Sequence, residues 1–185
     1  MSTYEPFDPA VEVHGRTILA VANEALAQFA EEYRERALST LAARGIENPD
    51  PEAWYPQTDW LAVFERLTET LEPHVLDRLG EQIPAVADWP DDAADSVEAG
   101  LRSIDEAYRR NHRGGDIGSY AFESTGERAG TVTARTPYPC VFDRGIVRAV
   151  ARRSAPVDSF VLVEERGDGP CRRTGGDHCT YSVTW

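Results

Sequence analysis

Lysine is absent from this chain: all 19 basic residues are arginine, and 32 carboxylates leave a net charge of −13 over 185 residues. Such a surface repels nucleic acid, which is bound chiefly by neutralising phosphates with Lys and Arg, so no nucleic-acid partner is expected. The lysine-free acidity also suits a halophilic protein, because concentrated salt screens its self-repulsion. Long apolar runs are missing too. Nothing approaches the ~18 residues of a membrane span, and no basic segment followed by an apolar run opens the chain. A soluble, cytoplasmic protein with no membrane association is therefore expected. Cysteine is scarce, and its odd count of three argues against a disulfide framework. No phosphate-binding glycine loop, Gly-x-Ser-x-Gly or His-Glu-x-x-His occurs, so no catalytic residue is assigned and an enzyme is not expected.

What is present concentrates near the end of the chain. Cys171 and Cys179 are separated by seven residues around Gly175-Gly176; Asp168 lies three positions before Cys171, and Cys140 follows Pro137-Tyr138-Pro139. If they converge, three thiols and a carboxylate form a closed four-ligand site of the kind zinc prefers. Structural zinc is accordingly the expected cofactor, held by Cys140, Asp168, Cys171 and Cys179, with His178 as the alternative fourth ligand. Arg144, Arg172 and Arg173 are placed to offset the negative charge of such a site. The competing reading makes Cys140 an ordinary buried hydrophobe and the other two free thiols or a chance disulfide.

The period of the apolar residues divides the chain. Helical spacing runs from Val11 to about Ala43, then from Thr58 or Asp59 through the stripe Trp60, Leu61, Phe64, Leu67, Leu71. A helix opened by Pro73 is expected to end at Leu79-Gly80. Another, with Asp91, Asp92 and Asp95 at its start, is expected to end at Tyr108-Arg109-Arg110. Beyond Gly114-Gly115, residues 119–124 and 131–136 read as a β-hairpin, residues 143–153 as a helix capped by Asp143, and residues 159–164 and 180–185 as two further strands. The expectation is a single α+β domain over 1–185. Its mainly helical part covers 1–110, and an antiparallel sheet with strand-strand-helix-strand-strand order, carrying the zinc site, covers 111–185.

This order of elements, with the ending Cys171-x7-Cys179-x-Tyr181-x-Val183-x-Trp185, resembles the 4-vinyl reductase domain family, and the composition resembles a haloarchaeal-type acidic member. That family belongs to a superfamily with haem-nitric-oxide-binding domains and a Golgi-transport subunit. The resemblance covers roughly Leu101 to Trp185. It implies a zinc ligand set matching Cys140, Asp168, Cys171 and Cys179, and an apolar pocket between helices and sheet for a small hydrophobic or aromatic molecule. Trp54, Tyr55, Trp60, Phe64, Tyr108, Tyr120 and Phe122 are the candidates to line it. The resulting expectation is a ligand-binding sensor, a homodimer acting on a regulatory protein partner. Haem is not expected, because the Tyr-x-Ser-x-Arg motif of the haem branch is missing. A haem- or tetrapyrrole-binding protein with His74 or His112 on iron is the alternative, and a structural interaction module a further one.

Overall fold

The structure is a computed structural model that describes residues 4–90, 95–167, 169 and 171–185. Two layers are present. The helical layer contains α1 (Gly15–Ala20, continued by a wide π-helical turn, Val21–Leu26), α2 (Glu31–Ala42), α3 (Gln57–Thr68), α4 (Pro73–Val86) and α5 (Val97–Asn111). A short antiparallel sheet, β2-β1-β3, ties this layer together from β1 (Glu12–His14), β2 (Trp54–Pro56) and β3 (His112–Arg113). The second layer is an antiparallel sheet in the order β4-β5-β7-β6, built from β4 (Ser119–Gly126), β5 (Ala129–Arg135), β6 (Leu162–Glu165) and β7 (Cys179–Thr184). Helix α6 (Cys140–Ser154) crosses between β5 and β6. The expected α+β class and the strand-strand-helix-strand-strand order are both observed.

Alternation along the strands fixes which face of the sheet is covered. Gly130, Val132 and Ala134 of β5 and Cys179, Tyr181 and Val183 of β7 are buried, while the threonines and serine between them are half-buried. Each one-residue register slip would send Tyr181 and both valines outward, so burial itself specifies the pairing of Val132 with Tyr181. Helix α5 starts where the Ser96 side chain accepts a hydrogen bond from the Ala99 amide at 3.1 Å, and its buried stripe includes Val97, Leu101, Ile104 and Tyr108.

Four sequence expectations change. The first long helix is interrupted by β1 at its start and by extended backbone at Ala30 (φ −167°), after which Glu31 and Glu32 sit in the first turn of α2, where the helix dipole favours anions. Helix α3 begins at Gln57 after Pro56, with neither Thr58 nor Asp59 capping it. Gly80 does not end α4, which continues to Val86; a Cβ at Gly80 would overlap the Phe142 carbonyl, and one at Gly145 the Asp77 carbonyl. These glycines are therefore contact points where the backbones of α4 and α6 touch. Finally, α6 begins three residues early, at Cys140, which puts Asp143 inside its first turn and 2% exposed instead of capping it. Asp91 and Asp92 lie outside the described residues, and the acidic residue in the first turn of α5 is Glu98.

Candidate functional site

Two polar clusters are buried where the layers meet. The first surrounds an apolar cavity of about 60 Å³. Helix α3 contributes Trp60 and Phe64, α5 contributes Ile104 and Tyr108, and Tyr120 of β4 and Phe142 and Ile146 of α6 close the far side. His112 enters from the end of α5, where the chain turns into β3, and is 6% exposed. Its Nδ1 lies 2.9 Å from the Tyr108 carbonyl oxygen, which can only accept, so the proton belongs on Nδ1. Nε2 then accepts a hydrogen bond from the Tyr138 hydroxyl at 2.6 Å. Burial, opposed by the bond to the Tyr108 carbonyl, pushes the imidazole pKa down to about 4, so the ring is neutral. The Gln57 Nε2 donates to the same Tyr138 hydroxyl at 3.4 Å, and the Gln57 Oε1, fully buried, has no partner among the described residues.

A buried acid lies beside this group. Asp143 accepts from the Tyr120 hydroxyl at 2.7 Å and from the Thr136 hydroxyl at 2.6 Å. Burial raises its pKa to about 7, although both hydroxyls and the charge of Arg172 pull in the opposite direction. A carboxyl in that state holds or releases a proton near neutrality.

The thiols form the second cluster. Cys140 opens α6, Cys171 precedes a short 3₁₀ turn (Arg172–Thr174), and Cys179 opens β7; Gly175 (φ +89°) reverses the chain between the last two. All three are buried, unoxidised and in mutual contact, with Sγ–Sγ separations of 3.6, 2.9 and 3.4 Å. The Cys171 thiol lies 3.0 Å from a carboxylate oxygen of Glu165, and the four ligand atoms fall within 4.8 Å of one another. Bonds of 2.3 Å to a tetrahedral ion would set the sulfurs about 3.8 Å apart, so a small expansion of this cluster receives one.

Thus the three cysteines of the expected ligand set meet, and the carboxylate meeting them among the described residues is Glu165. Asp168 lies outside the described residues, and His178 is absent from the cluster, its Nδ1 sitting 2.7 Å from Asp177. The sequence does not single out Glu165, which follows Glu164; β-strand alternation turns Glu164 to solvent and leaves Glu165 half-buried. Arg173 does reach the cluster, pairing with Glu165 at 2.7 Å, but Arg144 is committed to Asp77 at 2.9 Å and offsets nothing there. Of the expected pocket residues, Trp60, Phe64, Tyr108 and Tyr120 line the cavity. Trp54 and Tyr55 instead belong to β2, where Trp54 packs on His14 and Arg113, and Phe122 lies under Arg102. His74 is exposed, which leaves His112 as the histidine at the cavity.

No family model and no curated protein matches this chain. Solved structures do. The Fe(II) unliganded H-NOX protein from K. algicida superposes with a TM-score of 0.65 at 12% identity, over 92% of this chain and 95% of that one. The H-NOX protein from S. oneidensis in its Fe(II)NO state gives 0.61 at 12% identity, over 92% and 97%. A structure solved to probe haem distortion in the H-NOX family gives 0.66 at 12% identity, over 92% and 94%. At such identities the likeness concerns the fold. It nevertheless corrects the cofactor expectation, which set haem aside in favour of zinc: the matching structures are haem proteins, and no zinc is shown.

Proposed function

We propose that this chain is a sensory domain whose ligand site is the cavity at His112, and that haem is the group taken there. One observation carries the reading: in the fold of haem proteins, His112 presents a neutral Nε2 at an apolar cavity while its Nδ1 is anchored on the Tyr108 carbonyl. An axial histidine is held in that tautomer, with Nδ1–H donated to a carbonyl. The donor set therefore fits. Haem would supply the iron that takes up a diatomic gas. The chain's own residues do the rest: Trp60, Phe64 and Ile146 exclude water, the Tyr108 carbonyl orients the ring, and the Tyr138 hydroxyl holds Nε2 until a ligand displaces it.

A second reading has its own support. The cavity of about 60 Å³ is far below the roughly 300–1,000 Å³ of ordinary ligand sites, and neither arginine nor lysine lines it to pair with propionates. A small apolar molecule held directly by His112 and Tyr138 matches that volume without a rearrangement. Titration with haemin separates the two readings. The first expects a one-to-one Soret band that His112→Ala abolishes; a band indifferent to His112, or none, leaves the second.

The thiol cluster is proposed as a separate site for a thiophilic divalent metal ion, with Cys140, Glu165, Cys171 and Cys179 as ligands. Support comes from the donor chemistry, since buried thiolates and one carboxylate select soft ions in closed tetrahedral geometry. Its place suggests a staple between the start of α6 and the end of the sheet.

A further inference from the structure

A second cavity, of about 240 Å³, lies beside Cys140, between α3, the start of α4, the residues leading into α6 and the turn at Arg172. Tyr138 lines both this outer cavity and the inner one at His112. We propose that the two are compartments of one ligand site, partitioned by the Tyr138 ring, and that the ligand is a small amphipathic carboxylate whose head pairs with Arg172. The proposal rests on the second reading above, in which the cavity at His112 takes a small molecule directly, and stands apart from the haem reading.

The partition is built to move by its side chain alone. Pro137 and Pro139 flank Tyr138 and restrict its backbone, so rotation of the ring is the motion left to it. Rotation gives up the 2.6 Å bond to His112 and the long 3.4 Å bond from Gln57, and it returns Nε2 of His112 as an acceptor. Separately, both compartments are smaller than an ordinary small-molecule pocket; joined, they reach its lower limit of roughly 300 Å³.

The head group follows from Arg172. Half-buried in the outer wall, it donates to the Thr136 carbonyl and lies 5.6 Å from the Phe7 ring, and among the described residues no carboxylate pairs with it. Of the two arginines that line this cavity, Arg173 is paired with Glu165 at 2.7 Å, which leaves Arg172 to take a ligand's charge. A guanidinium binds a carboxylate through two parallel N–H bonds and keeps its charge at any working pH. Leu71, Leu76 and Val141 supply apolar wall to the same compartment.

The test compares 4-phenylbutyrate with 4-phenylbutan-1-ol, equal in shape and different in charge. Trp60 and Trp89 line the inner compartment, so tryptophan emission reports entry past Tyr138, and equilibrium dialysis reports binding anywhere. The expected result is an emission change with the acid and binding of the alcohol at least tenfold weaker. Arg172→Gln should erase that preference and Arg172→Lys keep part of it, with circular dichroism unchanged in both. Equal binding of acid and alcohol, a preference that survives Arg172→Gln, or binding without an emission change overturns the proposal. Haemin titration runs beside it. A His112-dependent Soret band without binding of either probe sinks this inference and leaves the haem reading standing. Acid-selective binding without a Soret band does the reverse.

Discussion

His112 and Asp143 pull the stability of the fold in opposite directions as the pH falls, and removing one should expose the other. The histidine is buried neutral: its pKa drops from 6.5 to about 4. The unfolded chain therefore binds a proton that the folded chain refuses between those values, and stability is lost as the pH falls through the window. The interval corresponds to about 3 kcal/mol. Asp143 behaves oppositely, rising from 3.8 to about 7, so the folded chain holds a proton that the unfolded chain has released. Its contribution grows as the pH falls from 7 toward 4, by about 4 kcal/mol. Over pH 6.5 to 4.5 the two nearly cancel. Asp143→Asn deletes the second contribution alone, so the variant should lose about 2–3 kcal/mol relative to the parent across that interval. Urea unfolding of both proteins at four pH values, without haem, measures the difference, and contributions common to both drop out. Parallel curves would refute the placement of Asp143 in a dry interior.

Three further outcomes are expected. Cys171→Ser should reduce bound metal per chain to a small fraction of the parent's on elemental analysis and lower the melting temperature, because metal binding to such a site is also folding energy. Gly80→Ala or Gly145→Ala should destabilise the fold by several kcal/mol in urea, since the new methyl overlaps a backbone carbonyl of the facing helix. Asp77→Asn should cost about 2 kcal/mol by leaving Arg144 without its carboxylate and Arg148 half-buried with Glu81 alone, and the loss should persist in high salt.

The sheet half was legible in the sequence because local signals agreed with tertiary demand. Alternation in β5 and β7, turn glycines and β-branched residues all select the pairing that forms. The helical half was less so. Gly80 carries the same letter as a helix stop, and only the facing Phe142 carbonyl shows that it is a contact point. At the thiol cluster the cysteines could be named from type and spacing. Glu165 could not, since its partner Cys171 approaches only once the turn around Arg166 has folded back. Residue type names His112 only together with His74, and Gln57 carries no sequence signature at all. Each is a polar residue at a helix end, made notable by tertiary burial against Tyr138, a residue 26 positions from one and 81 from the other.

The glycine contacts between α4 and α6 have a mechanical consequence. Side chains allow packed helices to slide by changing rotamers, but here carbonyls of each helix sit against glycine of the other, and Arg148 bridges both Asp77 and Glu81. The pair must translate as a single beam. One side of that beam, through Ile83, Phe142 and Ile146, forms the cavity wall, and its end is Cys140. Swelling of the cavity would then be passed along the pair toward the thiol cluster, two of whose ligands, Glu165 and Cys179, lie in the sheet.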